Sequence, residues 1–373
     1  MLPQENLMFV RIFKPVEDPR IDRNKLYPLD EILLVAFATL LSGGETYTDM
    51  ADFGISKLDV LRNLLPFKNG IPSEDTFERV FNILNPRQFE QCFAEWIEFI
   101  RKKNEAIIAI DGKSLRRSGS RKQRPLHVVT AWANQNKLVL GCHAVDEKSN
   151  EITAIPEVLK LLSLKGATVT LDAMGCQVEI AKQIVESNGD FVISLKGNQG
   201  TLREDVKVFF EQELRDKSSD KIEVYYTEVE KNHDRMDKRT YGLCNKIRWL
   251  TARHPAWPIK AIGFVESIRI SGGKESKELR YFITTHKDVQ KFAYAVRSHW
   301  GIENVAHGFL DITFHEDNSR VRNRNAAYNL AVIRRIAMNT LENDVTPKRS
   351  KRRKKLIAGW DDAYLKDMLT KHI

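Results

Sequence analysis

The stretch Ala106-Ile107-Ile108-Ala109-Ile110-Asp111-Gly112-Lys113 decides how the rest of this sequence is interpreted. A short, unbroken apolar run of this kind predicts a strand that is buried on both faces of a sheet. Asp is depleted in strands, and a buried carboxylate is costly unless it is paired or binds a cation. Asp111 at the end of this strand therefore takes part in chemistry, holds a metal ion or caps a nearby element.

A second stretch repeats the pattern. Ala167-Thr168-Val169-Thr170-Leu171-Asp172-Ala173 is again a short apolar run that ends in an aspartate. Two acidic strand ends in one α/β sheet suggest a divalent-metal site, because hard cations prefer carboxylate oxygens. The repeat shifts the interpretation of Asp111 and Asp172 towards function.

The composition is that of a globular protein. The chain has 373 residues, of which 42% are hydrophobic and 29% charged. Its longest apolar run, residues 32–41, is too short to span a bilayer, and the N-terminus has no signal-peptide pattern. The four cysteines are scattered without a CxxC pair, which favours a reducing compartment and argues against a structural zinc site. We expect a cytoplasmic protein with no membrane partner.

The net charge of +9 is concentrated near the C-terminus. Seven Lys and Arg residues lie between Lys348 and Lys355 with no acidic residue among them. Such a block is usually a solvated, mobile tail, and its functional interpretation is an arm that binds phosphates. Lys351, Arg352 and Arg353 are therefore candidate DNA contacts.

The order of predicted elements divides the chain into five parts. Residues 1–102 read as helices, either a DNA-reading domain or a packing domain. Residues 103–200 alternate as strand, β-hairpin, helix, strand, helix, strand, which predicts a mixed sheet with both aspartates at neighbouring strand ends. Residues 201–290 read as a β-rich insertion, residues 291–342 return to helix, and residues 343–373 form the basic tail.

The late helical region offers a third acid. His299, Glu303 and His307 are four residues apart, so we expect all three to line one side of a helix. Glu303 is either a salt-bridge partner or a third carboxylate of the site. Glu316 is a competing candidate, but it lies beside the turn signal Asn318-Ser319, and we expect it to pair with Arg320 and Arg322.

Several blocks of the sequence, in the right order, resemble one family. Residues 109–116 are similar to the first-acid motif of H-repeat-associated insertion-sequence transposases, which carry the RNase H-like core of DDE transposases. The resemblance covers about residues 25–342 and includes four more blocks: 146–156, 172–177, 196–199 and 297–304. It implies an α/β, RNase H-like mixed sheet flanked by helices, with a β-rich insertion and an N-terminal helical domain.

The resemblance also implies an activity and a cofactor. Asp111, Asp172 and Glu303 would be the catalytic, metal-binding triad of a DNA transposase. Two Mg²⁺ ions, for which Mn²⁺ substitutes, would serve cleavage at insertion-sequence ends and 3′-hydroxyl strand transfer. The chain departs from related transposases at two positions, because His299 stands where an Arg is expected and Leu310 where a Lys is expected.

The family implies a bacterial, nucleoid-associated protein whose partner is double-stranded DNA. That DNA comprises the terminal inverted repeats of the element and the target, and the protein would bind it as a homodimer that assembles on DNA. Besides the basic tail, the candidate DNA contacts are Lys113, Arg116, Asn198, Gln199, Arg235, Arg297, His307, Arg320 and Arg322. His307 is alternatively structural, and the glycine-flanked Asn198-Gln199 pair is alternatively a plain turn.

Two other functions fit the same sequence. One is an RNase H-fold nuclease that cuts DNA without joining it, and the other is a domesticated DNA-binding protein without catalysis. Metal-dependent nicking separates the two enzymes from the binding protein. Joining of a 3′-hydroxyl end to target DNA separates the transposase from the nuclease.

Overall fold

The computed structural model describes residues 8–100, 106–146, 148–216, 220–226, 229–232, 235–345 and 348–370. The predicted domain boundary at residues 102 and 103, and Glu147 of the block 146–156, lie outside these ranges. The domain boundaries as a set stay a prediction.

The strands form one mixed sheet in the order β3-β2-β1-β4-β5-β10-β9-β8-β6, with β7 paired to β8. The contacts of β1 with β4 and of β4 with β5 are parallel, and the other pairs are antiparallel. The bounds are β1 (Ile107–Leu115), β2 (Leu126–Ala133), β3 (Leu138–Ala144), β4 (Thr168–Leu171), β5 (Asp190–Leu195), β6 (Glu223–Tyr226), β7 (Glu230–Asn232), β8 (Arg235–Cys244), β9 (Ala261–Ser271) and β10 (Lys274–Thr284).

Helices precede, flank and follow the sheet. Their bounds are α1 (Met8–Phe13), α2 (Leu29–Ser42), α3 (Tyr47–Ser56), α4 (Leu58–Leu61), α5 (Glu74–Ile83), α6 (Pro86–Ile100), α7 (Glu151–Lys160), α8 (Val178–Glu186), α9 (Gly200–Arg215), α10 (Arg248–Arg253), α11 (Val289–Gly301), α12 (Gly308–Thr313), α13 (Arg324–Asn343), α14 (Lys351–Trp360) and α15 (Asp362–Thr370). A π-helical segment, Ile302–His307, joins α11 to α12, and short 3₁₀ turns include Gly197–Gln199 and Glu316–Asn318.

The register of β1 and β4 brings the two aspartates together. Ile110 pairs with Leu171, the last residue of β4, so Asp111 and Asp172 occupy the next position on neighbouring strands. β1 does not end at Asp111 as expected but continues to Leu115, because its antiparallel partner β2 remains paired. The two aspartates therefore lie directly after the end of β4 and in the middle of β1. This part of the sheet is termed the acidic edge.

The β-rich region expected at residues 201–290 extends the central sheet. β10 pairs with β5 from Tyr281 opposite Leu195 to Thr284 opposite Val192, and β9 and β8 follow outward. Phe210 of α9 packs against Tyr281 and against Phe264 of β9. These aromatic contacts pack α9 against the extension, and the pairing of β10 with β5 joins the extension to the first strands.

The N-terminal helices share the hydrophobic core with the sheet. Residues Glu31 to Leu41 of α2 are all buried, so α2 is a packing helix and is covered on every side. α13 is equally buried and packs against α2, α5, α6 and β3. Helix α13 therefore joins the N-terminal helices to the edge of the sheet.

The predicted mobile tail is wrong in the part that the structure describes. Residues 351–370 form α14 and α15, and α14 packs against α2. Lys354 and Lys355 are buried, and their ammonium groups donate to the carbonyl oxygens of Leu341 (2.9 Å) and Thr313 (2.6 Å). Ala358, Leu365 and Leu369, which follow the basic block, are buried in the core. The charge pattern alone does not predict this packing.

Within the described ranges, no helix combines the length and apolar character that a membrane crossing needs.

Leu365 tests whether the C-terminal helices are structural. Its side chain is fully buried, so Leu365→Ala should lower the free energy of unfolding by roughly 2–5 kcal/mol. Arg352 is exposed on α14, so Arg352→Ala should change the free energy of unfolding by less than about 0.5 kcal/mol. Urea denaturation of the full chain measures both. Equally small effects would restore the mobile-tail interpretation.

Candidate active site

Asp111 and Asp172 are the two carboxylates at the edge where β4 ends. The Asp111 side chain is only 17% exposed. Oδ1 of Asp172 accepts hydrogen bonds from the backbone N–H groups of Met174 (2.9 Å) and Gly175 (3.3 Å). These bonds fix the Asp172 carboxylate at the start of its loop, beside β1.

Glu303 lies in the π-helical segment between α11 and α12, which contacts β1. Ile302 and Ala306 are fully buried and anchor the segment, whereas Glu303 is exposed. The π geometry breaks the four-residue repeat expected for His299, Glu303 and His307. π-Bulges of this kind occur frequently at functional sites because they re-aim a side chain.

Electrostatics couple the three acids. The pKa of Asp111 is raised to about 7, mainly by burial and further by the negative charges of Glu151, Asp172 and Glu303, while the N–H of Gly112 opposes the shift. Burial and Glu151 also raise the pKa of Asp172. The acids thus occupy one negative region in which added positive charge is favourable.

Glu151 is a fourth acid of this region that sequence reasoning did not single out. Its Oε1 lies 2.7 Å from Nε2 of His127, whose Nδ1 lies 2.8 Å from the hydroxyl of Ser114. A Cβ at Gly112 would come within 2.2 Å of His127 Nε2 and 2.3 Å of Glu151 Oε1, so this pair occupies the space that glycine leaves. The glycine directly after Asp111 was the available signal.

His307 and His299 both face the sheet as neutral groups. Nδ1 of His307 is 3.7 Å from Oδ2 of Asp111, and burial, with Arg335 and Lys113, lowers the pKa of His307 to about 3. Nδ1 of His299 lies 2.9 Å from the Thr170 hydroxyl, and burial lowers the pKa of His299 to about 4. Neither imidazole carries the charge of an arginine at neutral pH.

Lys113 is an internal ion-pair partner in this structure. Its Nζ lies 2.7 Å from Asp311 and 2.8 Å from Asp317, and the side chain is buried. Burial opposes the charge, but Glu316, Asp311 and Asp317 together raise the pKa of Lys113. Arg116 also pairs with Asp317 at 3.0 Å, although its side chain stays largely exposed. In this structure Lys113 therefore serves as an ion-pair partner, and its role as a DNA contact stays a prediction.

Glu316 is fully buried and serves as a counter-ion. Its Oε1 lies 2.9 Å from Nη1 of Arg335, and its Oε2 lies 3.7 Å from Nζ of Lys113. Despite burial, Arg335 and Lys113 lower the pKa of Glu316. The expected pairing of Glu316 with Arg320 and Arg322 is wrong, because the chain turns this side chain into the core.

Asn198 and Gln199 brace the loop that follows Asp172. The side-chain amide of Asn198 donates to the Ala173 carbonyl (2.6 Å), and that of Gln199 donates to the Cys176 carbonyl (2.8 Å). These hydrogen bonds give the two amides a role in positioning the loop, and their role as DNA contacts stays a prediction.

An arginine-lined groove of about 640 Å³ opens beside the helix of Glu303. Trp300 and Asn304 form its edge at this helix, and Arg280 stacks over Trp300 at 5.7 Å. Its other cationic residues are Arg235, Arg239, Arg269 and Arg297, and its acids are Glu230, Asp237 and Glu278. Two predicted DNA contacts, Arg235 and Arg297, therefore share one groove near the third acid.

The remaining predicted DNA contacts lie away from this groove. Arg320, Arg322, Arg352 and Arg353 are exposed, whereas Lys351 is partly buried and pairs with Glu342 at 2.7 Å. Arg353 stacks over Trp360 at 5.2 Å. The structure thus distributes the predicted cations over separate surfaces.

The donor set at the acidic edge has the chemistry of a hard-cation site. Asp111, Asp172, Glu303 and Glu151 all offer carboxylate oxygens, the donors that Mg²⁺ and Mn²⁺ prefer. Burial, together with the negative charges of nearby acids, raises the pKa of Asp111, and a cation at this edge would offset that negative charge. In the described part of the chain, no group of three or more His, Cys, Asp or Glu residues is arranged so that it could hold a metal ion.

Arg335 tests the ion pair beneath the site. Arg335→Met should lower the free energy of unfolding by roughly 3–5 kcal/mol, because it leaves Glu316 buried without its partner. The double variant Arg335→Met/Glu316→Leu should recover part of that loss, since the buried charge is removed as well. Urea denaturation provides the comparison, and equal losses in the single and double variants would contradict it.

Comparisons with known proteins agree with this geometry. A family model described as Transposase DDE domain matches residues 102–340, and a DDE_Tnp_1-associated model matches residues 10–97. The H repeat-associated putative transposase YhhI of Escherichia coli K12 is 38% identical over 92% of each chain. The putative transposase YncI of E. coli O157:H7 is 34% identical over 95% of this chain and 92% of its own. The DDE domain is RNase H-like, as predicted, and the chain belongs to the DDE transposase family.

Proposed function

We propose that this DNA transposase cleaves DNA at the ends of an insertion sequence and transfers 3′-hydroxyl ends to target DNA through Asp111, Asp172 and Glu303. One observation carries the assignment: Asp111 and Asp172 occupy adjacent register positions, and Glu303 acts on Asp111 electrostatically. Residues from β1, the β4 loop and the π-helical segment thereby meet at one edge.

The same three carboxylates are the proposed ligands of Mg²⁺, with Mn²⁺ as a substitute and two ions per site. When bound, such ions polarise a phosphoryl oxygen and lower the pKa of a bound water. Asn198 and Gln199 hold the Asp172 loop in place, and the His127–Glu151 pair fills the space over Gly112. These supporting contacts limit how far the carboxylates move.

His307 is proposed to act as a neutral group beside Asp111. Its imidazole, 3.7 Å from Oδ2 of Asp111, has a pKa of about 3 and is therefore too weakly basic to take up a proton near neutral pH. It also leaves the acidic region without a positive charge of its own. His307 is therefore proposed to contact the scissile phosphate as an uncharged group.

The arginine-lined groove is proposed to supply the positive charge that the third-acid helix lacks. His299 is neutral and bonded to Thr170, and Leu310 is fully buried, so neither position can neutralise a phosphate. Arg297 lies on the same helix as His299 and lines the groove beside Asn304. Arg297 and Arg235 are the proposed phosphate contacts. We also propose that the protein assembles on DNA as a homodimer and is associated with the nucleoid.

The triad is tested with near-isosteric variants. Asp111→Asn, Asp172→Asn and Glu303→Gln should each reduce metal-dependent cleavage by more than about 100-fold. This loss is larger than the loss of up to about 100-fold that follows when only a residue supporting a metal ligand is removed. Nicking of a duplex carrying the element's terminal repeats measures this, and joining to target DNA separates transposition from cleavage alone.

Glu316→Gln is the matched control. It should unfold more easily because Arg335 loses its counter-ion, yet it should keep cleavage at a temperature where it is folded. Inactivity of folded Glu316→Gln together with activity of Glu303→Gln would transfer the third-acid role to Glu316.

Metal binding has a readout that does not depend on activity. At pH 8, Mg²⁺ or Mn²⁺ should raise the Tm of the wild type and have less effect on Asp111→Asn, which lacks the charge. Because the pKa of Asp111 is raised from the ordinary value of 3.8 to about 7 in the folded protein, the metal-free protein loses stability as the pH rises from about 4 to about 7, and the loss levels off above pH 7. Metal-free Asp111→Asn should therefore gain Tm relative to wild type from pH 5 to pH 8. The same metal response in both proteins would contradict the assignment.

A further inference from the structure

A cavity of about 710 Å³ lies between the N-terminal helices and the segment that leads into α13, away from the acidic edge. One wall comes from α3, the residues just before it, and α5. The other comes from residues 315–323, and Arg334 of α13 completes the lining. The lining residues used below are Glu45, Tyr47, Glu78, Asn82, Arg320, Arg322 and Arg334.

Arg334 is a buried cation without hydrogen bonds at two of its nitrogens. Its residue is 1% exposed, and Nε and Nη1 have no partner in the described structure. Its neighbour Arg335 is buried too but donates to Glu316, to the Ala331 carbonyl and to the Thr130 hydroxyl. A buried guanidinium that lacks such partners is costly, which indicates a missing acceptor.

Two more buried polar atoms of the same cavity wall lack partners. They are the hydroxyl oxygen of Tyr47 and Oδ1 of Asn82. The Tyr47 hydroxyl can donate, and the Asn82 amide can donate as well after its oxygen and nitrogen are exchanged. Three unpartnered polar side chains that converge on one cavity describe a binding site for a ligand rich in acceptor oxygens.

The charge of the lining favours an anion. Arg320, Arg322 and Arg334 carry positive charge, and Glu45 and Glu78 carry negative charge. Glu45 is already hydrogen bonded to Nδ1 of His315, so part of the negative charge is directed to a protein partner. Guanidinium groups donate several hydrogen bonds in a fixed geometry that matches phosphate oxygens.

We propose that this cavity binds a phosphate group, either of a DNA backbone or of a free phosphate ion. The DNA source rests on the proposed function, whereas phosphate binding itself does not. The site would also restrain the segment that carries Asp317, which pairs with Lys113 two residues after Asp111. An occupied cavity thereby stiffens the link between the N-terminal helices and β1.

The test is thermal unfolding of the full chain in inorganic phosphate against chloride at equal ionic strength. Wild type should show a saturable rise in Tm of about 2–4 °C. Arg334→Met should lose the phosphate response, because it removes the buried guanidinium that would donate to the phosphate. Arg352→Met, which removes an exposed arginine of α14, should respond like wild type.

Tyr47→Phe keeps the test decisive if Arg334→Met fails to fold. The Tyr47 hydroxyl has no partner, so its removal should leave the phosphate-free Tm unchanged and raise the phosphate concentration needed for the shift. A wild type that shows no phosphate-specific shift would overturn the proposal. The same holds if folded Arg334→Met and Tyr47→Phe both respond like wild type.

Duplex DNA binding distinguishes the two sources of phosphate. If the cavity takes a backbone phosphate, Arg334→Met or Tyr47→Phe should lower the salt slope of log affinity, by about 0.9 per lost contact. An unchanged slope together with a lost phosphate response identifies the free ion. Neither measurement uses DNA cleavage, so failure of the catalytic proposal and failure of the phosphate site are seen separately.

Discussion

The parallel pairing of β1 with β4 is the constraint on which the acidic edge depends. This pairing ends with Ile110 opposite Leu171, and the next residues along the two strands are Asp111 and Asp172. A register slip of one residue would turn every β1 side chain to the opposite face of the sheet. Residues 107–110 of β1 and 168–171 of β4 are all buried, so close packing on both faces of the sheet holds the register.

A second constraint ties the α13 helix to the end of β1. Arg335 of α13 is paired with Glu316, and Glu316 lies beside Lys113, which also contacts Asp311 and Asp317. Charges from α13, the 3₁₀ turn, α12 and β1 thus form one buried network. Such a network contributes more to a unique arrangement than to net stability, since desolvation offsets much of the attraction. Here the network fixes the position of α12, which follows the π-helical segment of Glu303, relative to β1.

The electrostatic division of the molecule follows from this arrangement. His299 and His307 beside the acidic edge are neutral, and the nearby groove is lined by five arginines and three acidic residues. If Arg235 and Arg297 of this groove contact phosphates as proposed, they would supply the positive charge that His299 and Leu310 do not provide.

The sequence by itself determined the order of the elements from β1 to β5, the two aspartates at neighbouring strand positions and the family, because apolar patterning and local motifs are readable along the chain. It did not reveal that residues 201–290 extend the same sheet, that Glu151 joins the acids, or that Lys354 and Lys355 are buried. Each of these depends on which segments meet across long stretches of chain. The tertiary structure alone decided whether a charged side chain faces solvent or a partner, because the same lysine or glutamate is compatible with both until its neighbours are in place.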